Sequence, residues 1–307
     1  MYFTPPKKKY IRCCFASLFY GLLLTSLVSC QDVLDGYGRK GGEIRFGAST
    51  GYSNGLATRS EYSGKDETDN LISSSSSYER IDWVSGSDQI RILCEAAENG
   101  PAADYDVSGA TAQGKNSVAG IEPAAGNGLR WGEGTHYFYA MYPVPGMSSN
   151  YSFRDNNPVP DSNAAIAAAA DNKATVSGRI PSVQEVVLVG NEFKPNMNYA
   201  YMYAAVKRES GSTEDVRLEF KPLVTTFEFT LLSPADDPIT QKLISVKLSS
   251  KTTHLIGNFS ATLSTEADPT ILTTNTGKEI TVTAFCGFPR QGHVLRAACF
   301  CLARPVG

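Results

Sequence analysis

The sequence predicts an all-β protein made of β-sandwich domains. Short runs of alternating polar and apolar residues, the pattern of half-buried strands, recur about every ten residues. Turn-forming residues separate these runs, and no long amphipathic helix pattern interrupts them. The chain has 307 residues, 42% of them hydrophobic, a length that permits one large all-β domain or two of ordinary size.

Residues 1–29 form a predicted lipoprotein signal peptide. A basic start precedes the apolar run Phe15–Val28, which is too short to span a bilayer, since a helix needs about 20 residues for that. The tetrapeptide that overlaps the end of this run, Leu27-Val28-Ser29-Cys30, resembles the lipobox of bacterial lipoproteins. This resemblance implies that the sulfur of Cys30 is acylated and that cleavage makes Cys30 the N-terminus.

Charge and cysteine content exclude several classes of protein. The formal net charge is −3, and it becomes −7 once the four basic residues of the signal are removed, with 24 Lys and Arg against 31 Asp and Glu. A mildly acidic exported chain is not expected to bind nucleic acid. Residues 31–285 contain a single cysteine, Cys94, so a disulfide framework is excluded and Cys94 is predicted to be a buried apolar side chain.

Residues 30–59 are predicted to hold a polar, glycine-rich tether and then a first strand, Glu43–Ala48. A first domain over residues 60–209 follows. Residues 49–80 are mostly polar, and we expect a long loop there. Residues 95–134 are rich in Ala, Gly and Asn and offer one candidate short strand, Leu129–Trp131, and residues 146–180 are polar apart from Ala164–Ala170. The predicted strands of this domain are Ile81–Trp83, Gln89–Cys94, Tyr137–Tyr142, Val186–Val189 and Tyr199–Ala204.

A polar hinge at Lys207–Ser212 predicts a boundary near residue 210, and residues 210–307 are predicted to form the second domain. Its strands are more regular than those of the first. They are Val216–Phe220, Val224–Leu232, Leu243–Ser249, Asn258–Leu263 and Glu279–Phe285.

Two segments depart from the strand pattern. Ala164–Ala170 is rich in alanine, which favours a helix, but the run is short enough that such a helix is marginal without tertiary packing. The tail after about residue 286 is rich in Cys and Arg and does not alternate. It is interpreted as a surface tail or, preferably, as a frameshifted or truncated end, which leaves the second domain incomplete.

The residues that carry chemistry in enzymes form no convincing site. Gly51–Gly55 matches the G-x-S-x-G pattern around Ser53, but no strand and helix flank it, so we expect a loop. The histidines at positions 136, 254 and 293 have no metal-ligand spacing. Tyrosines in strand-like runs favour sheet packing over a glycan-binding platform. The sequence therefore predicts a protein that is not an enzyme, with no metal and no cofactor.

Several segments, in this order, resemble the fimbrillin family of Bacteroidales pilins over roughly residues 30–285. The first group is Ile44-Arg45-Phe46, Ala57-Thr58-Arg59, Ile81-Asp82-Trp83 and Asp88-Gln89-Ile90. The second group is Tyr137–Pro143, Tyr201–Ala204, Val216–Phe220 through to Phe229, Val246–Ser249 and Gly257-Asn258-Phe259.

The resemblance implies two transthyretin-like β-sandwich domains and a lipoprotein precursor at the outer membrane and cell surface. An arginine-specific surface protease then removes the first strand, about Glu43–Ser49, so that a strand from another fimbrial subunit fills the groove and supports cell adhesion. The implied cleavage site is Arg59, with Arg45 as a second candidate inside the strand. The alternatives are a monomeric surface lipoprotein that binds a glycan or host ligand, and a fimbrial anchor subunit.

Overall fold

The structure is a computed structural model that describes residues 41–50, 61–62, 81–113, 116–144, 164–189, 192–232, 244–283 and 294–302. The described residues confirm the all-β prediction, since they form strands, loops and one turn of 3-10 helix at Met197–Tyr199. No helix in these ranges has the length and apolar character needed to cross a membrane.

The strands are short and follow one another through the chain. They are β1 (Phe46–Thr50), β2 (Glu61–Tyr62), β3 (Ile81–Asp82), β4 (Gln89–Leu93), β5 (Ala102–Gln113), β6 (Asn116–Pro123), β7 (Thr135–Tyr142), β8 (Ala165–Ala169), β9 (Lys173–Ile180), β10 (Val183–Val189), β11 (Glu192–Pro195), β12 (Met202–Glu209), β13 (Val216–Pro222), β14 (Val224–Leu232), β15 (Ser245–Ser249), β16 (Ile256–Leu263), β17 (Thr270–Gly277), β18 (Glu279–Thr283) and β19 (Val294–Leu302).

Seven strands form a closed sheet in the order β1-β13-β12-β7-β4-β5-β6. All neighbours in it are antiparallel except β1 and β13, which run parallel. Smaller sheets have the orders β17-β16-β9-β8, β11-β10-β18-β15, β14-β19 and β2-β3. The turn near residue 210, where we expected a domain boundary, joins β12 to β13, which are hydrogen-bonded neighbours in the closed sheet.

The main core fills the closed sheet and continues between that sheet and strands β9 and β16. Inward residues such as Ile90, Phe138 and Leu218 have no exposed surface. Val176 and Ala261 belong to the same cluster. A second apolar cluster is made of Val186, Leu255, Ile280, Val282, Cys299 and Cys301. Burial of this kind is the main driving force for folding, at about 1.5–3 kcal/mol for a fully buried large side chain.

Three segments without a clear strand pattern in the sequence contain strands. Ala164–Ala170 does not form the marginal helix that its alanines favour, because Ala165–Ala169 pairs as edge strand β8 with β9. The segment 95–134 contains the two long strands β5 and β6, and the polar segment 146–180 contains β9. Backbone pairing and one buried face sustain these strands although their sequences are rich in small residues.

The atypical tail is not a surface tail over its described residues. Its residues 294–302 form β19, which pairs with β14 over nine residues, from Val224 opposite Leu302 to Leu232 opposite Val294. Its last four residues, Cys299–Leu302, are all buried. Because both faces of this stretch are covered, its sequence lacks the alternation that identifies half-exposed strands.

Candidate functional site

The first strand, β1, completes the closed sheet. β1 lies between β6, to which it is antiparallel, and β13, to which it is parallel. Phe46 is opposite Ile121 on one side and Val216 on the other, and Ser49 is opposite Val118 and Glu219. A strand from the start of the described chain thus closes the sheet between two strands that are distant in sequence.

The residues before β1 extend its pairing. The Gly41 N–H donates to the Trp131 carbonyl at 2.9 Å, and the Trp131 N–H donates to the Gly42 carbonyl at 2.9 Å. The Ile44 N–H donates to the Leu129 carbonyl at 2.8 Å. Residues 41–44 are therefore held along the segment 129–131, beyond the end of β6.

His136 stabilises the loop that holds this segment. Its imidazole Nε2 accepts a hydrogen bond from the Gly132 N–H at 3.0 Å, so the ring proton sits on Nδ1 and is donated to the Gly134 carbonyl at 3.0 Å. The ring is fully buried and packs edge-to-face against Trp131, with centroids 4.9 Å apart. This arrangement makes His136 a structural residue.

Alternate side chains of the first strand point into the core. Ile44, Phe46, Ala48 and Thr50 are at most 5% exposed, whereas the residues between them are intermediate or exposed. The Phe46 ring meets those of Tyr105 and Phe138 edge-to-face, with centroids 5.2 and 5.3 Å away. Such aromatic pairs add about 0.5–1.5 kcal/mol to the free energy of burial.

Thr50 anchors the end of the strand through polar contacts. Its hydroxyl accepts a hydrogen bond from the Ser117 N–H at 2.8 Å and donates to the Ile81 carbonyl at 3.2 Å. The Ser117 hydroxyl in turn accepts from the Trp83 N–H at 3.0 Å. Because Thr50 and Ser117 are buried, loss of either hydroxyl leaves a backbone group without a partner.

The outer face of the strand carries one of the two predicted cleavage residues. The Arg45 guanidinium lies 3.1 Å from the Asp215 carboxylate, and both side chains are more than half exposed. The Arg45 carbonyl accepts a hydrogen bond from the Val216 N–H at 2.8 Å. Cleavage after Arg45 would require this backbone to leave the sheet first, since a protease needs an extended, accessible segment.

The geometry defines a groove that β1 fills, which we call the β1 groove. Its walls are the edges of β6 and β13, and its floor is the core beneath Phe46. Without β1, both edges would present unpaired N–H and C=O groups, and the pockets under Ile44, Phe46 and Ala48 would be exposed.

Several residues singled out in the sequence fall outside the described residues, namely Cys30, Ser53, Arg59 and His293. Of those described, His254 is exposed and Cys94 is buried as predicted, and burial raises the pKa of the Cys94 thiol to about 11. The part of the chain that the structure describes contains no group of His, Cys, Asp and Glu able to hold a metal.

The two cysteines of β19 form a buried pair. The thiols of Cys299 and Cys301 are hydrogen-bonded to each other, which raises the pKa of Cys301 and lowers that of Cys299. Both are free thiols with at most 1% exposure. They lie in the second apolar cluster and take part in packing there.

Sequence reasoning located the first strand but missed its partner β13 and the role of Thr50. The signal for Thr50 was present, because the alternation of Ile44, Phe46 and Ala48 continues to it. The parallel pairing with β13 spans about 170 residues of sequence, which no local pattern encodes. No protein-family model, curated protein or solved structure matches this chain.

Proposed function

We propose that this protein is a structural subunit of surface fimbriae that assembles by strand exchange and supports cell adhesion. The observation that carries the proposal is the placement of β1, an N-terminal strand that fills a groove between β6 and β13. Every second residue of β1 is buried in the core, so a donated strand with the same alternation could occupy the same positions. A donated strand restores both the backbone pairing and the apolar contacts, which gives it specificity as well as affinity.

In this proposal the precursor reaches the outer membrane through the lipid on Cys30. A surface arginine-specific protease then cuts after Arg59, which follows β1 in the chain. The cut leaves β1 on a separate peptide, bound only by non-covalent contacts. Release of that peptide also releases the lipid anchor, and a strand of another fimbrial subunit enters the β1 groove.

The same proposal includes a fold of two transthyretin-like sandwich domains. The chain accepts a strand and does not donate its own last described strand. The support for this is the engagement of β19, which pairs with β14 throughout its length and buries its final residues. A head-to-tail contact made through one groove does not close on itself, so it suits a filament or its tip.

A locked variant tests the proposal. Ser49 and Val118 are opposite each other on β1 and β6, and neither is fully buried. Opposite residues in antiparallel strands have Cα atoms about 4.5–5.5 Å apart, within reach of a disulfide. In an unlipidated Cys30→Ser precursor, the double variant Ser49→Cys and Val118→Cys should therefore tie β1 into its groove.

The measurement is oligomer size after treatment with an arginine-specific protease and addition of a partner subunit. We expect polymers from the Cys30→Ser precursor, monomers from the oxidised double variant, and polymers again after reduction. The single variant Ser49→Cys is the control and should polymerise. Mass spectrometry reports whether the peptide that contains β1 is released.

Two results would contradict the proposal. If the precursor is cut after Arg59 but keeps its β1 peptide and stays monomeric with every partner, the chain is a surface lipoprotein. If it is not cut at all and still caps a fimbria at the membrane, it is an anchor subunit.

A further inference from the structure

Strand β17 forms one edge of the sheet β17-β16-β9-β8, and among the described residues it pairs with β16 alone. Its sequence, TILTTNTG, contains no charged residue and no proline. Leu272 within it is 67% exposed. An edge of this kind presents a row of unpaired N–H and C=O groups to any strand that can lie beside it.

The edges of another sheet show the protection that β17 lacks. In the sheet β11-β10-β18-β15, edge strand β11 contains Glu192, Lys194 and Pro195. The other edge, β15, carries Lys247, whose ammonium lies 2.6 Å from the Glu279 carboxylate. Charged residues and proline are the usual means by which proteins prevent edges from pairing with other chains. Nothing of this kind opposes pairing along β17.

The side chains of β17 are complementary to those of a second β17. The strand pairs regularly with β16 over Thr270–Thr274, and the register shifts beyond it, where Asn275 has a φ of 50°. Leu272 is the middle of this regular part. If two copies lie antiparallel about a two-fold axis at Leu272, the cross-strand pairs join aliphatic and threonine side chains, which stabilise sheets. The pairs are Leu272 with Leu272, Thr270 with Thr274, and Ile271 with Thr273.

The charges that flank β17 favour the antiparallel direction. Glu266 and Asp268 precede the strand and Lys278 follows it, and all three are exposed. Glu279 also follows, but its charge is paired with Lys247. Antiparallel pairing brings the acidic start of each copy towards Lys278 of the other copy. Parallel pairing would instead place like charges together, which costs free energy.

We propose that β17 binds β17 of a second copy of this chain, antiparallel about a two-fold axis at Leu272, so that the two four-stranded sheets become one sheet of eight strands. Backbone hydrogen bonds join the copies, and the exposed Leu272 side chains meet across the axis. A contact of this symmetry closes as a dimer. It uses no part of the β1 groove and is independent of strand exchange.

The size of the contact sets its expected strength. One short strand edge buries less than the roughly 1,200–2,000 Å² of a stable interface, so we expect a dimer that forms at about 0.1–1 mM protein. Chains held close together on one surface reach effective concentrations in about the millimolar range. At the proposed cell-surface location the contact would therefore join neighbouring copies side by side, and this consequence alone rests on the proposed function.

Sedimentation equilibrium of the unlipidated mature chain, with Cys30→Ser, tests the contact from about 10 μM to about 1 mM. We expect the dimer fraction to rise with concentration. Leu272→Lys places two ammonium groups opposite each other and should weaken association by at least about tenfold. Ala167→Lys adds the same charge at an exposed position on β8, the opposite edge of the sheet, and should change nothing. Circular dichroism shows that each variant is folded.

A cysteine variant tests the register. Opposite residues in antiparallel strands have Cα atoms about 4.5–5.5 Å apart, so Leu272→Cys should give a cross-linked dimer with oxidised glutathione as the oxidant. Thr270→Cys is the matched control. Its two copies would be four residues apart along the strands, about 13 Å, and should not cross-link. The chain without an added cysteine reports any contribution from its own thiols.

Four results would each overturn the inference. The first is a chain that stays monomeric at about 1 mM, and the second is a dimer that Leu272→Lys leaves unchanged. The third is equal weakening by Ala167→Lys, because β17 would then pair with β8 of another copy. The fourth is cross-linking of Thr270→Cys as efficient as that of Leu272→Cys, because the axis would then lie elsewhere. None of these results bears on strand exchange, which is measured separately with protease and a partner subunit.

Discussion

The strands β1 and β19 come from opposite ends of the described chain and join the structure in different ways. β1 is five residues long and has a strand on each side, with one buried and one accessible face. β19 is nine residues long and has β14 on one side. On its other side the Gln184 side chain accepts a hydrogen bond from the Phe300 N–H and donates one to the Phe300 carbonyl.

This difference bears on what we propose for each strand. In the proposed assembly, β1 leaves the sheet once the chain after it is cut, and its short length limits the number of contacts that must break. The buried residues at the end of β19, bound on both edges, make it part of the permanent core. The predictions below test this contrast, starting with the largest expected effect.

Phe300→Ala tests whether β19 is a true core strand. Phe300 has no exposed surface, and removal of its ring should lower the free energy of unfolding by about 3–5 kcal/mol. Chemical denaturation followed by circular dichroism measures this loss. Phe227→Ala, on the paired strand β14, removes a ring that is 44% exposed and should cost far less. Equal effects of the two variants would show that the end of β19 is not packed.

Thr50→Val tests the polar anchor at the end of β1. Valine keeps the shape of the side chain but leaves the Ser117 N–H and the Ile81 carbonyl unpaired, at a cost of about 1–3 kcal/mol. After cleavage at Arg59, the same change should speed release of the β1 peptide, measured by mass spectrometry. Thr50→Ser keeps the hydroxyl and should behave nearly as the natural chain does. Equal release rates for both variants would exclude this anchoring role.

High pH should lower the free energy of unfolding, because buried tyrosines such as Tyr105, which packs against Phe46 of β1, lose their protons. Burial raises the pKa of Tyr105 from 10.0 to about 12, so the folded state binds the proton more tightly than the unfolded state does. Its contribution to stability is complete below pH 10 and is lost as the pH rises towards 12, by about 1–2 kcal/mol.

Urea denaturation at pH 8, 10 and 11 measures this dependence. Tyr139 and Tyr203 have similarly raised pKa values, so Tyr105→Phe should reduce the slope of stability against pH without abolishing it. At pH 8 the variant loses the acceptor of the Leu129 N–H and should be less stable. An unchanged slope would show that the Tyr105 pKa is not shifted.

Arg45→Gln should have the smallest effect on stability. Its ion pair with Asp215 is largely exposed, and such pairs contribute about 0–1 kcal/mol. Arg217→Gln, which removes an exposed arginine from neighbouring β13, is the control. If Arg59 is the processing site, protease treatment of Arg45→Gln should give the same N-terminus as the natural chain. A change in that N-terminus would assign the cleavage to Arg45.

The all-β class and the first strand could be predicted from the sequence pattern alone. The alternation from Ile44 to Ala48 predicted β1, because every second residue of a half-buried strand faces the core and is apolar. The aromatic run in β7 and the regular alternation in β13 also predicted these two strands. In each of these strands, one face meets the core and the other does not.

The pairing of the strands, and the way in which β1 and β19 are held, depend on contacts between segments that are distant in the sequence. The parallel pairing of β1 with β13 closes the seven-stranded sheet, and the pairing of β14 with β19 brings the atypical tail into the core. The physical reason is that backbone hydrogen bonds between distant segments are almost independent of side-chain identity, and a strand covered on both faces has no alternation to reveal it.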